Sequence, residues 1–388
     1  MRFLGARLTI DQEISRQFSS ISPISDRWWR QPWFMAWLIH DGFMALATVL
    51  PFHVHHNPLL PNLSVTLQDR GWFHFDAAYY FFIGFHGYGQ PKMAAFYPGL
   101  PLLIALFKNP WLILLVTQLA FGQSLRLLDR LAQALALFGQ QRLFILLAFA
   151  LNPMAVFDTT AYSEIWTFLT ALASLDAARQ RHFAQASLWA FLATLTHGTG
   201  VLVGIMPLTY AVRSIYRRDW PRLRLALLWG AGTFMGFSSY ALYLAVHFRQ
   251  PWLIFTVERQ FWDAHWTWPW AQWLTLLQHR PAFSLWYGLI ALGFVIFGVR
   301  AVTSVWRPSS PWWAVPASVY GVSGLLVSCS FDVMFAPFHS TARLLSDYFP
   351  FYLFAGNFSR LGRLITLTLW SFWAFLSAVF FIHGVWVQ

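Results

Sequence analysis

The sequence predicts an all-α protein, a polytopic transmembrane helical bundle of about 11 spans, and three observations lead to this fold class. Of its 388 residues, 57% are hydrophobic and only 11% are charged, which is too little charge to cover a water-soluble chain of this length. The apolar residues form long continuous runs such as "LLIALFKNPWLILLVTQLAF", each near the roughly 20 residues that cross a bilayer. A membrane β-barrel would show short alternating segments instead.

Several boundaries of the individual spans coincide with Pro or Gly, including Pro98, Gly198 and Pro311. The second span is interrupted at "KNP" (108–110) and is interpreted as one broken or tilted crossing, and the two spans around "THGTG" (196–200) are short enough to be half-helices. The predicted spans are 34–52, 97–127, 143–157, 161–178, 184–197, 199–212, 225–247, 283–299, 311–330, 343–357 and 364–386.

The chain divides into a cytoplasmic, amphipathic N-terminal segment, residues 1–33, and a single transmembrane domain, residues 34–388. The first segment is polar and lacks the apolar core of a signal peptide. Its "RWWRQPW" is typical of a Trp/Arg belt at a membrane interface.

The distribution of Lys and Arg predicts the orientation. With the N-terminus in the cytoplasm, 19 of the 26 basic residues fall inside and 7 outside, in agreement with the positive-inside rule. Two large loops, 53–96 and 248–282, then face outside.

The net charge of +11 does not predict a nucleic-acid partner, because the basic residues are spread between apolar runs. The single cysteine, Cys329, excludes a disulfide framework within the chain and a cysteine metal site.

The first outer loop carries a lone acid among aromatics, in "HFDAAYYFFIGFHGY". Asp76, Tyr79, Tyr80 and Ile83 have the spacing of one helical face, so we expect a helix in the interface that presents Asp76 to the protein or to a cavity. The alternative is a solvated carboxylate or a helix cap.

Other polar groups on the predicted outer side also have two interpretations. Asp158 or Thr160 would cap the following helix, with Glu164 favoured by the helix dipole. Arg343 would snorkel to the interface or pair with Asp347 at i+4.

His197 has an ordinary packed histidine as its alternative. In the second loop, several members of one polar group are expected to be solvated and one or two to be functional: Glu258, Arg259, Gln260, Asp263 and His265.

These polar groups all lie on the predicted outer side of the membrane, which favours a functional role over the structural alternatives. A carboxylate and several cations in an outward cavity suit chemistry on an anionic, membrane-borne substrate. The residues in question are Asp76, Asp158, Glu164, His197, Arg259, Arg343 and Lys92. The sequence has no HExxH, CxxC or nucleotide-binding glycine loop, and "HVHH" (53–56) is only a weak metal signal.

Three stretches resemble the PIG-V-like family of membrane mannosyltransferases, in family order. They are "HFDAAYYFFIGFHGY" followed by "AAFYPGLPLL" within 72–104, "NPMAVFDTTAYSEIWTFLTALAS" (152–174), and "ARLLSDYFPFYLF" (342–354). The resemblance implies a GT-C glycosyltransferase fold with the catalytic acid in the first outer loop. It also implies a sugar donor carried on a polyprenyl phosphate, and the chain length favours a prokaryotic plasma membrane. Phe75 stands where the family often has Trp, and His197 where Arg is common.

The function implied is an inverting transfer of a hexose, mannose in the family, to an acceptor hydroxyl outside the cytoplasm. Asp76 would be the general base. The donor phosphate would be bound by Arg343, Lys92 and Arg259. The sugar or acceptor would contact Tyr79, Glu164, His74, Tyr97, Gln260 and His197.

The partners implied are a polyprenyl-phosphate-linked sugar, a lipid or glycan acceptor and membrane lipids, with no nucleic acid. The sequence requires no metal and leaves a divalent ion open. The alternatives are a non-catalytic scaffold subunit of a glycan-assembly complex and a transporter, which predicts ionisable residues in mid-span, as at His40 and Asp41.

Overall fold

Helices form nearly all of the regular structure in the computed structural model. The described residues are 28–50, 71–279, 282–303, 305, 310–332, 337–338 and 340–387. The α-helices of this part are α1 Pro32–Val49, α2 Asp76–His86, α3 Gly99–Phe107, α4 Pro110–Ala134, α5 Gln140–Ala150, α6 Glu164–Arg179, α7 Phe183–Thr196, α8 Ile205–Tyr216, α9 Trp220–Phe248, α10 Leu253–Phe261, α11 Ala271–His279, α12 Ala282–Thr303, α13 Ala314–Ser330, α14 Thr341–Ser346, α15 Phe349–Phe354 and α16 Arg360–Ile382.

Short elements connect these helices. Two strands, β1 and β2, pair antiparallel, with His265 opposite Asp332 and Trp266 opposite Phe331, and so tie the chain after α10 to the end of α13. The remaining elements are the 3-10 helices Trp28–Arg30, Gly71–Phe73, Pro91–Ala95, Ala155–Asp158, Gly198–Gly204 and Ala355–Asn357, and the strands β1 His265–Trp266 and β2 Phe331–Asp332.

Within the described residues, four helical segments are long and apolar enough to cross a membrane, which gives the chain membrane-protein character. They are Pro110–Ala134, Gly198–Tyr216, Trp220–Phe248 and Arg360–Ile382. Large apolar side chains on the outside of α9, including Phe234 and Val246, are about three-quarters exposed, as expected of a surface that lipid covers. The predicted all-α class and the helical bundle are therefore confirmed in the described part, whereas the count of 11 spans is not.

The predicted interruption of the second span is confirmed. α3 ends at Phe107, Lys108 adopts a left-handed conformation with φ 50°, and α4 begins at Pro110. The side chain of Asn109 accepts hydrogen bonds from the N–H groups of Trp111 and Leu112 and so caps α4.

The predicted span 343–357 is wrong as a single helix. Its residues form α14 and α15, six residues each, and these are too short to cross a bilayer. The chain leaves helical geometry at Tyr348, and Pro350 at the start of α15 lacks the N–H that a continuous helix would need. Because α15 is buried throughout, the apolar run belongs to the protein core.

Small residues let the central helices approach closely. α9 packs along α7, and α7 along α6. A Cβ atom added at Gly232 would collide with the backbone carbonyl of Ser187, and one at Gly236 would lie 2.7 Å from the carbonyl oxygen of Phe191. This G-x-x-x-G spacing places two glycines on one face of α9, where the backbones meet. The packing fixes the end of α7, which leads into the candidate site.

Candidate active site

The candidate site is built around the guanidinium of Arg343, which lies between two carboxylates. Its Nη1 donates a hydrogen bond of 3.0 Å to Oδ2 of Asp76. Its Nε lies 3.2 Å from Oε1 of Glu164, an ion-pair contact. The Glu164 side chain is almost fully buried, whereas 23% of the Asp76 side chain is exposed. Glu164 therefore holds the guanidinium inside the protein, whereas Asp76 is partly accessible at the protein surface.

A sharp backbone turn places Asp76 at the first residue of α2. Phe75 has φ 56° and ψ −119°, a conformation that is strained for a non-glycine residue and costs about 1–3 kcal/mol. The N–H of Asp76 donates to the hydroxyl of Tyr162 at 3.1 Å, and that hydroxyl donates to the carbonyl of His74 at 3.2 Å. Tyr162 therefore holds both sides of the turn, and the aspartate position is fixed by long-range contacts.

Glu164 is likewise the first residue of a helix, α6. The unpaired N–H groups at a helix N-terminus favour a carboxylate, so the predicted dipole effect is consistent with its position. The hydroxyls of Tyr80 and Ser163 lie 2.8 Å apart and join α2 to the start of α6. The two acids are thus held at the ends of two helices that contact each other.

Three aromatic rings surround the cation. The guanidinium carbon of Arg343 lies 5.4 Å from the ring centroid of Phe157, 5.8 Å from that of Tyr162 and 5.5 Å from that of Trp386. Aromatic faces attract a guanidinium and limit its movement. Trp386 was not predicted, because nothing in the C-terminal stretch signals proximity to Arg343 or to Phe75, whose ring lies 4.7 Å from that of Trp386.

Two local interpretations of the sequence are wrong. Arg343 does not pair with Asp347: α14 ends at Ser346, and among the described residues the buried Asp347 carboxylate has no hydrogen-bond partner. Asp158 and Thr160 do not cap α6, whose N-cap is Ser163 without a side-chain cap. Instead, Asp158 accepts a hydrogen bond of 3.1 Å from Asn152.

Tyr79 follows Asp76 by three residues on α2, so the two share one face of this helix, and Lys92 lies close to the Tyr79 ring. The Tyr79 ring stacks on Phe96 with centroids 4.8 Å apart, and Nζ of Lys92 lies 5.8 Å from the Tyr79 centroid. Burial, and then the charge of Asp76, raise the pKa of Tyr79. The half-buried lysine has no ion pair within the described part of the chain.

Tyr97, His197 and His74 have mainly packing or backbone contacts. Tyr97 is buried with its ring 4.9 Å from that of Tyr240. Nδ1 of His197 lies 2.8 Å from the hydroxyl of Thr199 and accepts from its N–H at 3.3 Å, so the imidazole caps the following 3-10 helix. His74 contributes its carbonyl to the Tyr162 hydroxyl.

In the polar group of the second predicted outer loop, the structure favours Glu258 over Arg259 and Gln260, the two residues to which binding roles were assigned. Arg259 and Gln260 are exposed on α10 and make no side-chain hydrogen bond or ion pair to the residues described. Glu258 lies on the half-buried side. Burial, and then the negative charge of Asp76, raise its pKa to about 7, while Arg343 acts in the opposite direction. Glu258 therefore lies close enough to Asp76 and Arg343 for their charges to affect its pKa.

No three His, Cys, Asp or Glu side chains within the described ranges are close enough together to hold a metal ion. The histidines of "HVHH" lie outside these ranges, as do residues 1–27 of the predicted N-terminal segment. The expectation that no metal is required, with a divalent ion left open, therefore stays a prediction.

Comparison with known proteins gives no family for the chain. No family model and no curated protein matches it. A function for this chain therefore rests on the site geometry and on the short motifs that carry Asp76, Glu164 and Arg343.

Proposed function

We propose that the chain is a membrane glycosyltransferase of the GT-C type, which transfers a hexose from a polyprenyl-phosphate sugar to an acceptor hydroxyl. Mannose is the hexose favoured by the motif resemblance. The observation that carries the proposal is the contact of Arg343 with a partly exposed aspartate and a buried glutamate. Such a cluster combines a site for an anion with a carboxylate that accepts a proton.

Arg343 would bind the phosphate of the donor. Its guanidinium is planar and always charged, so it suits a phosphate that gains charge as the sugar leaves. Asp76 occupies only Nη1, and the exposed side of that contact is where a phosphate would compete for the cation. Glu164 and the aromatic rings would keep the guanidinium in place during the exchange.

Asp76 would act as the general base. Once a phosphate shares the guanidinium, the carboxylate accepts the proton of the acceptor hydroxyl. The hydroxyl oxygen forms a bond to the anomeric carbon, and the bond from that carbon to the phosphate oxygen breaks. The electron pair stays on the phosphate, which leaves as polyprenyl phosphate. A single displacement of this kind inverts the anomeric configuration.

The remaining predicted residues have supporting roles in this proposal. Tyr79 lies within the influence of the Asp76 charge and Lys92 lies near the Tyr79 ring, where they would contact sugar or phosphate. Glu258 is added to the site, whereas Arg259 and Gln260 would act only after a movement of α10. The proposed location is a prokaryotic plasma membrane, with the N-terminus in the cytoplasm and the site outside.

The test is transfer by the purified chain in nanodiscs supplied with polyprenyl-phosphate-mannose and candidate lipid or glycan acceptors. Asp76→Asn removes the base while keeping size and polarity. We expect it to reduce release of polyprenyl phosphate by about 10²- to 10⁴-fold, the usual contribution of general base catalysis.

The matched control is Asp263→Asn, which changes a half-buried loop aspartate that makes no contact with Arg343. Equal thermal unfolding midpoints of both variants would exclude a folding defect. If folded Asp76→Asn transferred sugar at the wild-type rate, the base assignment would be wrong.

The two alternative functions predict different results. A scaffold subunit would release no polyprenyl phosphate with any acceptor, and its complex would tolerate loss of Asp76. A transporter would need an ionisable path in mid-span, but Nδ1 of His40 lies 2.6 Å from the carbonyl oxygen of Ala150 and its ring packs on Phe121. This buried contact supports a packing role for His40.

A further inference from the structure

A second polar site lies at the end of the bundle away from Asp76. α6 begins at Glu164 and ends at Arg179, 16 residues or about 24 Å later, and Arg181 follows directly. A cavity of about 250 Å³ opens beside Arg181, between the end of α6, the end of α8 and the start of α9. Its lining includes Arg181, Tyr210, Arg213, Arg217, Arg222 and Trp312.

The cavity has an excess of positive charge. Four arginines line it, and its one acid, Asp219, lies 3.1 Å from Nε of Arg222. Arg181, Arg213 and Arg217 have no carboxylate within ion-pair distance in the described part of the chain.

Three other arginines near this end of the bundle have carboxylate partners, in contrast to three of those that line the cavity. Arg130 and Arg179 contact Asp176 at 2.9 and 2.8 Å, and Arg142 contacts Asp129 at 2.7 Å. The folded chain therefore leaves three cations without a counter-ion in one concave place, and this arrangement favours an anion there.

Aromatic contacts position one of these cations in advance. The Arg181 guanidinium carbon lies 4.9 Å from the ring centroid of Trp312, and its Nη1 donates a long hydrogen bond of 3.4 Å to the Tyr210 hydroxyl. The Tyr210 and Trp312 rings lie 4.8 Å apart, and Tyr210 is buried. A guanidinium held in this way loses little freedom when it binds an anion.

The surface beside the cavity favours a lipid as the source of the anion. Leu208, Val212 and Ile215 recur at i, i+4 and i+7 on α8, and each is more than half exposed. The same helix carries Arg213, Arg217 follows its last residue directly, and the helix belongs to a segment able to cross a membrane. An anionic phosphate in the cavity would therefore have an apolar stripe next to it for acyl chains.

We propose that this cavity binds the phosphate headgroup of an anionic membrane phospholipid, with its acyl chains on the α8 stripe. The proposal does not depend on the glycosyltransferase function. The cations and the stripe are the two parts of the site, and the Trp312–Tyr210 wall keeps Arg181 directed into it.

The experiment uses the full chain in nanodiscs of phosphatidylcholine with increasing phosphatidylglycerol, and measures the thermal unfolding midpoint. The test variant is Arg213→Gln with Arg217→Gln. The control, Arg126→Gln with Arg360→Gln, removes the same charge from two exposed arginines outside the cavity. We expect phosphatidylglycerol to stabilise the wild type and the control. The test variant should need about tenfold more lipid for the same stabilisation.

Equal stabilisation of all three proteins would overturn the site. Inorganic phosphate in phosphatidylcholine nanodiscs tests the source: if it reproduced the cavity-dependent stabilisation, the ligand would be a soluble phosphate and the lipid assignment would be wrong. If the double variant proves unstable, Arg217→Gln alone serves, because this exposed side chain makes no hydrogen bond within the described part. Unchanged lipid dependence of that single variant would also contradict the proposal.

Discussion

At the residue scale, the identity of Arg343 matters more than its charge. One guanidinium contacts Asp76 through Nη1 and Glu164 through Nε while three aromatic rings surround it. A lysine ammonium is a compact point charge and offers neither the separated donors nor the flat face. The site therefore requires this side chain for two contacts that point in different directions.

Glu258 gives a pH-dependent property at the same scale. Its pKa in the folded protein is raised to about 7 from 4.5 by burial and by Asp76. Because the folded protein binds this proton more tightly than the unfolded chain, the stability contributed by neutral Glu258 is complete below about pH 4.5 and is lost as pH rises through about 7. The Glu258→Gln variant is neutral at every pH. We therefore expect its free energy of unfolding to fall less with rising pH than that of the wild type, by about 1–2 kcal/mol after allowance for the partial exposure of Glu258.

The measurement is the unfolding midpoint of both proteins in detergent between pH 5 and 8. The difference between the variant and the wild type should grow as pH rises through this interval. Gln260→Ala, at an exposed position two residues away on α10, should follow the wild-type curve. Parallel curves for Glu258→Gln and the wild type would show that Glu258 does not titrate in this range.

At the scale of elements, helix ends rather than helix interiors assemble the site. Asp76 and Glu164 are the first residues of α2 and α6, and Arg343 lies on the six-residue α14. The neighbouring α7 ends at Thr196, whose hydroxyl lies 2.9 Å from that of Thr167 on α6. The packing of α7 against α9 therefore supports the end of the bundle where Glu164 lies.

A glycine pair on α9 tests this support. A Cβ at Gly232 would collide with the Ser187 carbonyl, whereas one at Gly230 would be 3.7 Å from Pro207, an ordinary contact. We expect Gly232→Ala to lower the free energy of unfolding by about 1–3 kcal/mol through overpacking. Gly230→Ala should leave it unchanged or raise it by up to about 1 kcal/mol, because alanine favours helix. Unfolding in a denaturing detergent measures both, and equal effects would contradict a close α7–α9 contact.

At the scale of the whole molecule, the predicted orientation follows from the division of basic residues, 19 on one side and 7 on the other. The single cysteine makes this testable, since Cys329→Ala leaves a chain without thiols. In that background we expect Asp263→Cys to react with a membrane-impermeant maleimide in intact cells. Arg217→Cys should react only after the membrane is opened. The reverse pattern would place the site in the cytoplasm.

Much of the helical architecture was predictable because apolar runs and prolines are local signals, as the break at "KNP" illustrates. The separation of spans from core was not predictable from hydropathy. The apolar run 348–356 suggested a span over 343–357, yet this stretch forms two short helices, the second of them buried throughout. In a membrane protein, the same apolar side chains suit lipid and the protein interior equally well.

The site was predictable in its parts and not in its assembly. Asp76, Glu164 and Arg343 were each expected on one side of the membrane, but their mutual contact joins residues up to 267 positions apart. Local geometry suggested Asp347 as the partner of Arg343 instead, and the helix ends before that pair can form. The register of α10 decided between Glu258 and its neighbours Arg259 and Gln260, since only one side of that short helix packs.

The length of α9 has a consequence for the lipid that surrounds the protein. Between Arg224 and His247 the helix carries 22 residues without an ionisable acid or base other than tyrosine, about 33 Å at 1.5 Å per residue. This value is close to the hydrocarbon thickness of an average bilayer, about 30 Å. A thinner bilayer would tilt α9 or stretch around it, and α7, packed along the same helix through the glycine contacts, would tilt with it. The length of the lipid acyl chains would thus influence the position of Glu164, because α7 packs along α6, the helix that begins at Glu164.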